Sequence, residues 1–373
     1  VNVLVWQWGR RGAGPRIAVE LAAAFSRLPG VRGLLSLSDR AEILVGPSPP
    51  VCDLPVATYG GIAGFVWRLL QAPATVLWLG RRLRALRPDL AVCAMPGPLD
   101  LLMLAALRQR RIPVVVIVHD ADPHPGDTLP VMVRLQRVIV RGADVLVTLS
   151  AHVADRLREQ GLVRPGKTLA VIGHPPLHFG PLPSPPFAHD GPARFLFFGR
   201  LLAYKGLDLL ADALRLLGPR ADLETRIVGS GPESPTLAAL RALSGVAVEN
   251  RWVPESEIGA VIAWSDVLVL PYREASQSGA AAAAIAARRL IVATRVGGLT
   301  EQLGGEALAL LCDPDPTALA AALEAILKRR TTIEMASPCE ERPVQSWQDF
   351  AQALCELAGK PPAGGGAVRP EAP

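Results

Sequence analysis

Seven short apolar runs, each divided from the next by a stretch of helical periodicity or turns, constrain this chain more than any other feature. They lie at residues 1–6, 114–118, 145–148, 194–198, 225–228, 267–270 and 290–293, and most are nearly unbroken in Val, Ile, Leu and Phe. A strand that is apolar on both faces has to be covered on both faces, which a parallel sheet between helices provides. The alternation reads as successive βα units and predicts an α/β fold with parallel sheets. With 373 residues, half of them apolar, the chain exceeds one ordinary core and predicts two domains.

Proline density between 175 and 192 is too high for a helix or a central strand, so the break between the domains falls there. The expected organisation is a first domain at 1–177, a linker at 178–192, a second domain at 193–342, a segment at 343–358 whose amphipathic helix packs back on the first domain, and a disordered tail of Gly, Ala and Pro at 359–373. No internal repeat is visible beyond the βα period.

The formal net charge is +5 and the pI about 9.2. Only Lys167, Lys205, Lys328 and Lys360 are lysines; a coding sequence rich in G and C would give the same arginine excess, so the placement of the cations says more than their number. Trp67, Arg68, Leu69, Leu70, Val76, Leu77, Arg81, Arg82, Arg84 and Arg87 bring aromatic, aliphatic and cationic side chains together. Such a surface suits an anionic bilayer interface, and helices wetting one face would produce the same pattern. No nucleic acid is expected as a partner. No apolar run reaches the roughly 18 residues of a membrane span, and the chain opens on a strand instead of a signal peptide. The expectation is a cytoplasmic protein, soluble or peripheral on the inner face of the plasma membrane. The cysteines (52, 93, 312, 339 and 355) are odd in number and scattered, and suggest neither disulfides nor a zinc site.

Candidate chemistry sits in the loops after the strands. Gly199 ends the run 194–198, and Arg200 and Lys205 follow five residues apart where the next helix, 207–217, begins. Two cations at a helix start form a grip for a diphosphate. Ser276, Gln277, Ser278 and Gly279 open an alanine-rich helix at 280–287, and a Ser-Gly pair there offers N–H donors and the positive dipole end to a second anion site. Between them, Gly229 and Gly231 form a turn that lets a ring or ribose approach the backbone, and the segment 246–254, with Arg251 and Trp252, is placed to meet a nucleobase edge. In the first domain the turn containing Gly12 and Gly14 points N–H groups at a helix start, without a clean GxGxxG spacing or a downstream acid, which disfavours dinucleotide binding. His119 and Asp120 follow the run 114–118. His119 there is a polar group facing the cleft, with Asp120 as the acceptor-side group. A second reading makes His119, Asp120, Asp122, His124 and Asp127 ligands of a divalent metal in a hydrolase; Pro123 and Pro125 stiffen that loop against closure.

Taken together, FGRLLAYKGLDLL (198–210), RIVGSGPE (226–233), SDVLVLPYREASQSG (265–279) and IVATRVGGLTE (291–301) resemble the retaining glycosyltransferases of family four, of the exopolysaccharide type. The resemblance is specific over 194–303 and weak before it. It implies the GT-B architecture, two Rossmann-like domains facing across a cleft, and a hexosyltransferase moving sugar from a UDP- or GDP-sugar, with no cofactor and no metal, to a saccharide or polyprenyl-linked acceptor. By position it makes Arg200 and Lys205 the cations that neutralise the departing diphosphate and His119 the contact to the donor sugar. Members commonly carry two glutamates eight residues apart near the last phosphate loop; here Ala275 and Ala283 hold those places, with Glu274 one residue off the first. A nucleotide-sugar binding protein without catalysis is the other alternative.

Overall fold

In the computed structural model the described residues are 1–46, 48–122, 130–333 and 346–360. They form two six-stranded, wholly parallel sheets. The first contains β1 (Asn2–Gln7), β2 (Arg32–Leu37), β3 (Leu90–Cys93), β4 (Val114–Val118), β5 (Val145–Thr148) and β6 (Thr168–Val171), with α1 (Ala13–Arg27), α2 (Ile62–Leu70), α3 (Ala72–Leu86), α4 (Asp100–Gln109), α5 (Pro130–Gly142) and α6 (Ala151–Glu159). The second contains β7 (Ala193–Phe198), β8 (Leu223–Gly229), β9 (Val246–Asn250), β10 (Val267–Leu270), β11 (Leu290–Thr294) and β12 (Ala309–Cys312), with α7 (Leu207–Leu217), α8 (Pro235–Arg241), α9 (Glu255–Trp264), α10 (Gly279–Ala286), α11 (Gly297–Leu303) and α12 (Pro316–Ile333). A last helix, α13 (Trp347–Leu357), packs on α1 of the first lobe, and Trp347 Nε1 donates to Pro176 O at 2.7 Å.

Strand order decides where a site can form. The first sheet runs β2-β1-β3-β4-β5-β6, so its order reverses between β1 and β3. The second runs β12-β11-β10-β7-β8-β9 and reverses between β7 and β10. At a reversal the two crossover helices leave on opposite faces of the sheet, and a crevice opens beyond the carboxyl ends of the two strands. Four interior strands are sealed on both sides: every residue of β4, β5, β10 and β11 is buried. Loops at their ends are therefore held on rigid supports.

The lobes meet along the cleft through polar contacts on both flanks. On one flank Glu42 accepts from Trp252 Nε1 at 2.9 Å and from the Glu255 amide at 2.7 Å, while Arg16 pairs with Glu255 at 3.3 Å. On the other, the Glu301 carboxylate accepts from the amides of Ala151 and His152 at 2.6 and 2.8 Å, an acid placed on the positive end of α6. Ser150 Oγ donates to Ser276 O at 3.0 Å, and Ala282 of α10 is buried among core residues of the first lobe. Among the described residues no single helix is long and apolar enough to cross a membrane. The positions His124 and Asp127, the boundary at 342 and the tail from 361 lie outside the described residues.

Candidate active site

The loops after β7 and β10, which flank the reversal in the second sheet, carry the two cationic and Ser-Gly segments. Gly206 joins them: it has φ +66°, and a Cβ there would lie 1.8 Å from Pro271 O, so a side chain is barred both by conformation and by the neighbouring loop. The Arg273 amide donates to Tyr204 O at 2.9 Å across the same junction. Arg200 is exposed, and its Nη2 donates to the Tyr204 hydroxyl at 2.6 Å. The Lys205 ammonium stands 3.7 Å from the centroid of the Tyr272 ring, a cation–π contact. The Tyr272 hydroxyl is 3.3 Å from Ser278 Oγ. Burial pushes this phenol up to about 12, against the opposing pull of Ser278 and Arg200, so it stays a neutral bridge between the corners.

Ser278 caps α10: its Oγ accepts from the Ala281 amide at 3.2 Å. Gln302 fixes the cap by accepting from Ser278 N at 2.8 Å and donating to Ser278 O at 3.0 Å. Gly279, the first residue of α10, faces Ala13 of α1, since a Cβ on Gly279 would sit 3.6 Å from the Ala13 methyl. The amino ends of α1, where Gly12 and Gly14 lie, and of α10 therefore meet across the cleft. Two positive dipole ends in contact repel each other unless an anion lies between them.

His119, at the end of β4, is 2 % exposed. Its Nε2 lies 2.8 Å from Ala94 O, which only accepts, so Nε2 carries the proton and Nδ1 presents a lone pair. Gln277 of the second lobe donates to that Nδ1 at 3.1 Å. Burial holds the imidazole below its ordinary pKa, so it is neutral at pH 7. His174 stands behind it, with ring centroids 6.3 Å apart, and burial pushes its pKa down to about 4. Asp120 is half-buried beside His119, and its carbonyl accepts from Gln136 at 3.2 Å.

The remaining positions fall on the rim of the second lobe. Gly199 N donates to Val228 O at 3.1 Å. Gly229 lies so close to this corner that a Cβ there would overlap Gly199 O at 1.6 Å. The Gly231 amide donates to Asn250 Oδ1 at 3.0 Å. The segment expected to meet a base edge comprises the edge strand β9 and the turn after it, and that turn is tied into the protein. The Arg251 amide donates to Gly229 O at 2.6 Å, and its guanidinium pairs with Glu249 at 3.1 Å and Glu257 at 2.8 Å. Trp252 is neither core nor a free platform: it bonds Glu42 and lies under Arg11, 5.4 Å from ring centroid to guanidinium carbon. Glu274 is exposed, and Ala275 and Ala283 are buried. In the proposed metal set, Asp122 is taken up by Arg156 Nε at 2.9 Å and Gln160 at 2.7 Å. Among the described residues no three His, Cys, Asp or Glu side chains converge on a metal-sized site.

Sequence reasoning missed the crevice at the reversal of the first sheet. There a cavity of about 360 Å³ lies beyond β1 and β3, bordered by Gln7, Trp8, Arg10, Thr58, Tyr59 and the loop 97–100. Asp100 is fully buried at its base, Oδ2 accepting from the Gly97 amide at 2.7 Å and Cys93 Sγ at 3.4 Å, with Oδ1 unbonded among the described residues. Another hollow, about 190 Å³, lies at the amino ends of β8 and β9, remote from both reversals.

Residues 11–173 match the model of the glycosyl transferase 4-like domain, and residues 192–329 match that of the glycosyl transferases group 1. The chain belongs to the group 1 glycosyltransferases. Glycogen synthase of Mycobacterium tuberculosis is 26% identical over 264 residues, 66% of this chain. The match spans 63% of that protein's own length. Among solved structures, the lipopolysaccharide outer core galactosyltransferase WaaB aligns with a TM-score of 0.62 at 15% identity, over 95% of this chain and 99% of that one. Anabaena HepE in complex with UDP and glucose aligns with a TM-score of 0.62 at 15% identity, over 96% and 95%. These likenesses establish the GT-B fold of this family member, and the geometry of its own residues has to carry the chemistry.

Proposed function

We propose that this chain is a retaining glycosyltransferase that moves a sugar from a nucleoside-diphosphate sugar, UDP- or GDP-linked, to a saccharide on a lipid carrier during polysaccharide assembly. The observation that carries this reading is the meeting of the α1 and α10 amino ends, with Lys205 joined to the α10 cap through Tyr272 and to Arg200 through Tyr204. Backbone N–H groups and two cations there fit a diphosphate, and HepE holds UDP and glucose on the same fold.

In the reaction the bond between the sugar's anomeric carbon and the diphosphate oxygen breaks, and the electron pair leaves with the diphosphate. Arg200, Lys205 and the helix ends are fixed in advance where that charge grows, which lowers the barrier without reorganisation. The acceptor oxygen attacks from the face the phosphate leaves, and its proton passes to the departing phosphate oxygen. Among the described residues no pair of carboxylates flanks this position in the manner of a retaining glycosidase. His119 Nδ1 takes a hydrogen bond from a sugar hydroxyl, which displaces Gln277. The acceptor sugar occupies the cavity beyond β1 and β3. The chain's own cations supply the charge, so the reading requires no metal.

Release of nucleoside diphosphate from UDP- or GDP-sugars, followed with and without chelator, tests the reading. Arg200→Ala and Lys205→Ala are each expected to cost about 100-fold in turnover, with wild-type activity unaffected by chelator. Unchanged turnover in both variants refutes the assignment, and loss in chelator favours a metal-dependent hydrolase.

A further inference from the structure

Among the described residues, the pair α2–α3 carries the largest group of exposed large apolar side chains. In α2 no residue is buried, although only Arg68 among its nine residues is charged. Ile62, Val66, Leu69 and Leu70 follow a helical stripe and are 78, 50, 46 and 71 % exposed. Trp67 is 58 % exposed beside them, and Leu77 and Trp78 of α3 add 62 and 40 %. The stripe of α3 then turns cationic: Leu77, Arg81 and Arg84 share one face, as do Trp78 and Arg82, and all are exposed. From residue 60 to residue 88 there is no Asp or Glu.

Uncovered apolar area of this extent marks an interaction surface. We propose that α2–α3 is the docking face for an anionic lipid bilayer, lying in the headgroup boundary with Trp67 and Trp78 inserted and Arg81, Arg82 and Arg84 on the lipid phosphates. Charge selects this occupant: a face with Arg81, Arg82 and Arg84 exposed and no acid between residues 60 and 88 repels a second copy of itself and is matched by an acidic membrane surface. Geometry selects the mode. The axes of α2 and α3 bend by 70° at Gln71, the nine residues of α2 reach only about 14 Å, and α3 is held to the lobe by buried Leu79, Gly80 and Leu83, so the pair lies in the interface instead of crossing it.

The face is continuous with the cavity beyond β1 and β3. Gly60 and Gly61 border the cavity and lead directly into α2. Phe65 of α2 meets Tyr59 of the cavity wall edge-on at 4.9 Å, and Arg68 Nε donates to Thr58 O at 3.3 Å. A headgroup carried by a lipid in that membrane would enter the cavity past the start of α2. This inference rests on the reading of that cavity as the acceptor side.

Flotation of the full chain with vesicles of equal parts phosphatidylglycerol and phosphatidylcholine, and with phosphatidylcholine alone, tests it. Binding to the anionic vesicles at low salt that weakens as salt rises is expected. The triple variant Trp67→Glu/Leu70→Glu/Trp78→Glu is expected to lose about tenfold or more of it, with an unchanged unfolding midpoint. Absence of wild-type binding, equal binding to both vesicle types, or self-association abolished by the same variant overturns the proposal. Thermal shift with UDP reads the donor site independently, so a failure here is distinguishable from a failure of the transferase reading.

Discussion

Helices α2 and α7 are similar in composition and opposite in fate. In α7, Leu207, Leu209, Leu210, Ala211, Ala213 and Leu214 are buried; in α2 nothing is. The difference lies in what stands beneath each helix. Helix α7 is the crossover between β7 and β8 and returns over the sheet. The crossover from β2 to β3 needs one helix, and α3 supplies it with Leu79, Gly80 and Leu83. Helix α2 is an addition to that connection, left with its apolar side outward. Hydrophobicity alone does not separate core from docking surface; the topology does.

The most severe way to probe this contrast is a charge in the covered helix. Leu210 is fully buried, so Leu210→Glu is expected to cost more than about 4 kcal/mol and to abolish folding, read as loss of the cooperative denaturant transition. The contrast extends to charge at the two reversals: the second lobe presents cations, and the first buries a carboxyl. Burial pushes Asp100 up to about 7, against the lowering hydrogen bonds of the Gly97 amide and Cys93 thiol. The folded protein therefore keeps this proton to near neutrality, whereas the unfolded chain releases it near pH 4. The protonated group contributes fully below about pH 4, and that contribution is lost as the pH rises through 7. Asp100→Asn, which cannot ionise, is expected to be more stable than wild type at pH 8 by roughly 4 kcal/mol and nearly equal at pH 4; a variant less stable at pH 8 breaks the contrast. The smallest effect belongs to the uncovered helix. Leu70→Glu, at a position 71 % exposed, is expected to move stability by less than about 0.5 kcal/mol, and a large loss would mean that α2 is covered.

What the sequence displayed and what it hid follow the same logic of cover. The runs 114–118, 145–148 and 267–270 coincide with β4, β5 and β10, interior strands buried along their whole length. Strands β2, β6, β9 and β12 were not visible, and all four are sheet edges; β6 and β9 are partly exposed along their length and lack an unbroken apolar run. Interior β3 is only four residues long and was hidden between prolines. The loops at Gly199–Lys205 and Ser276–Gly279 were legible because local chemistry, cations and a Ser-Gly start, marks them. The cavity of Thr58, Tyr59 and Asp100, and the inter-lobe acids Glu42 and Glu301, were not. Their meaning depends on strand order and on partners up to 213 residues away in the chain.

The central claim is that the two corners at the β7–β10 reversal hold one diphosphate. Calorimetric titration of UDP and GDP into wild type and into the double variant Arg200→Ala/Lys205→Ala addresses it most directly. The account predicts saturable binding of one of them to wild type, weakened by about 100-fold or more in the variant. Equal affinity in the two proteins, or no binding of either nucleotide to wild type, would contradict it.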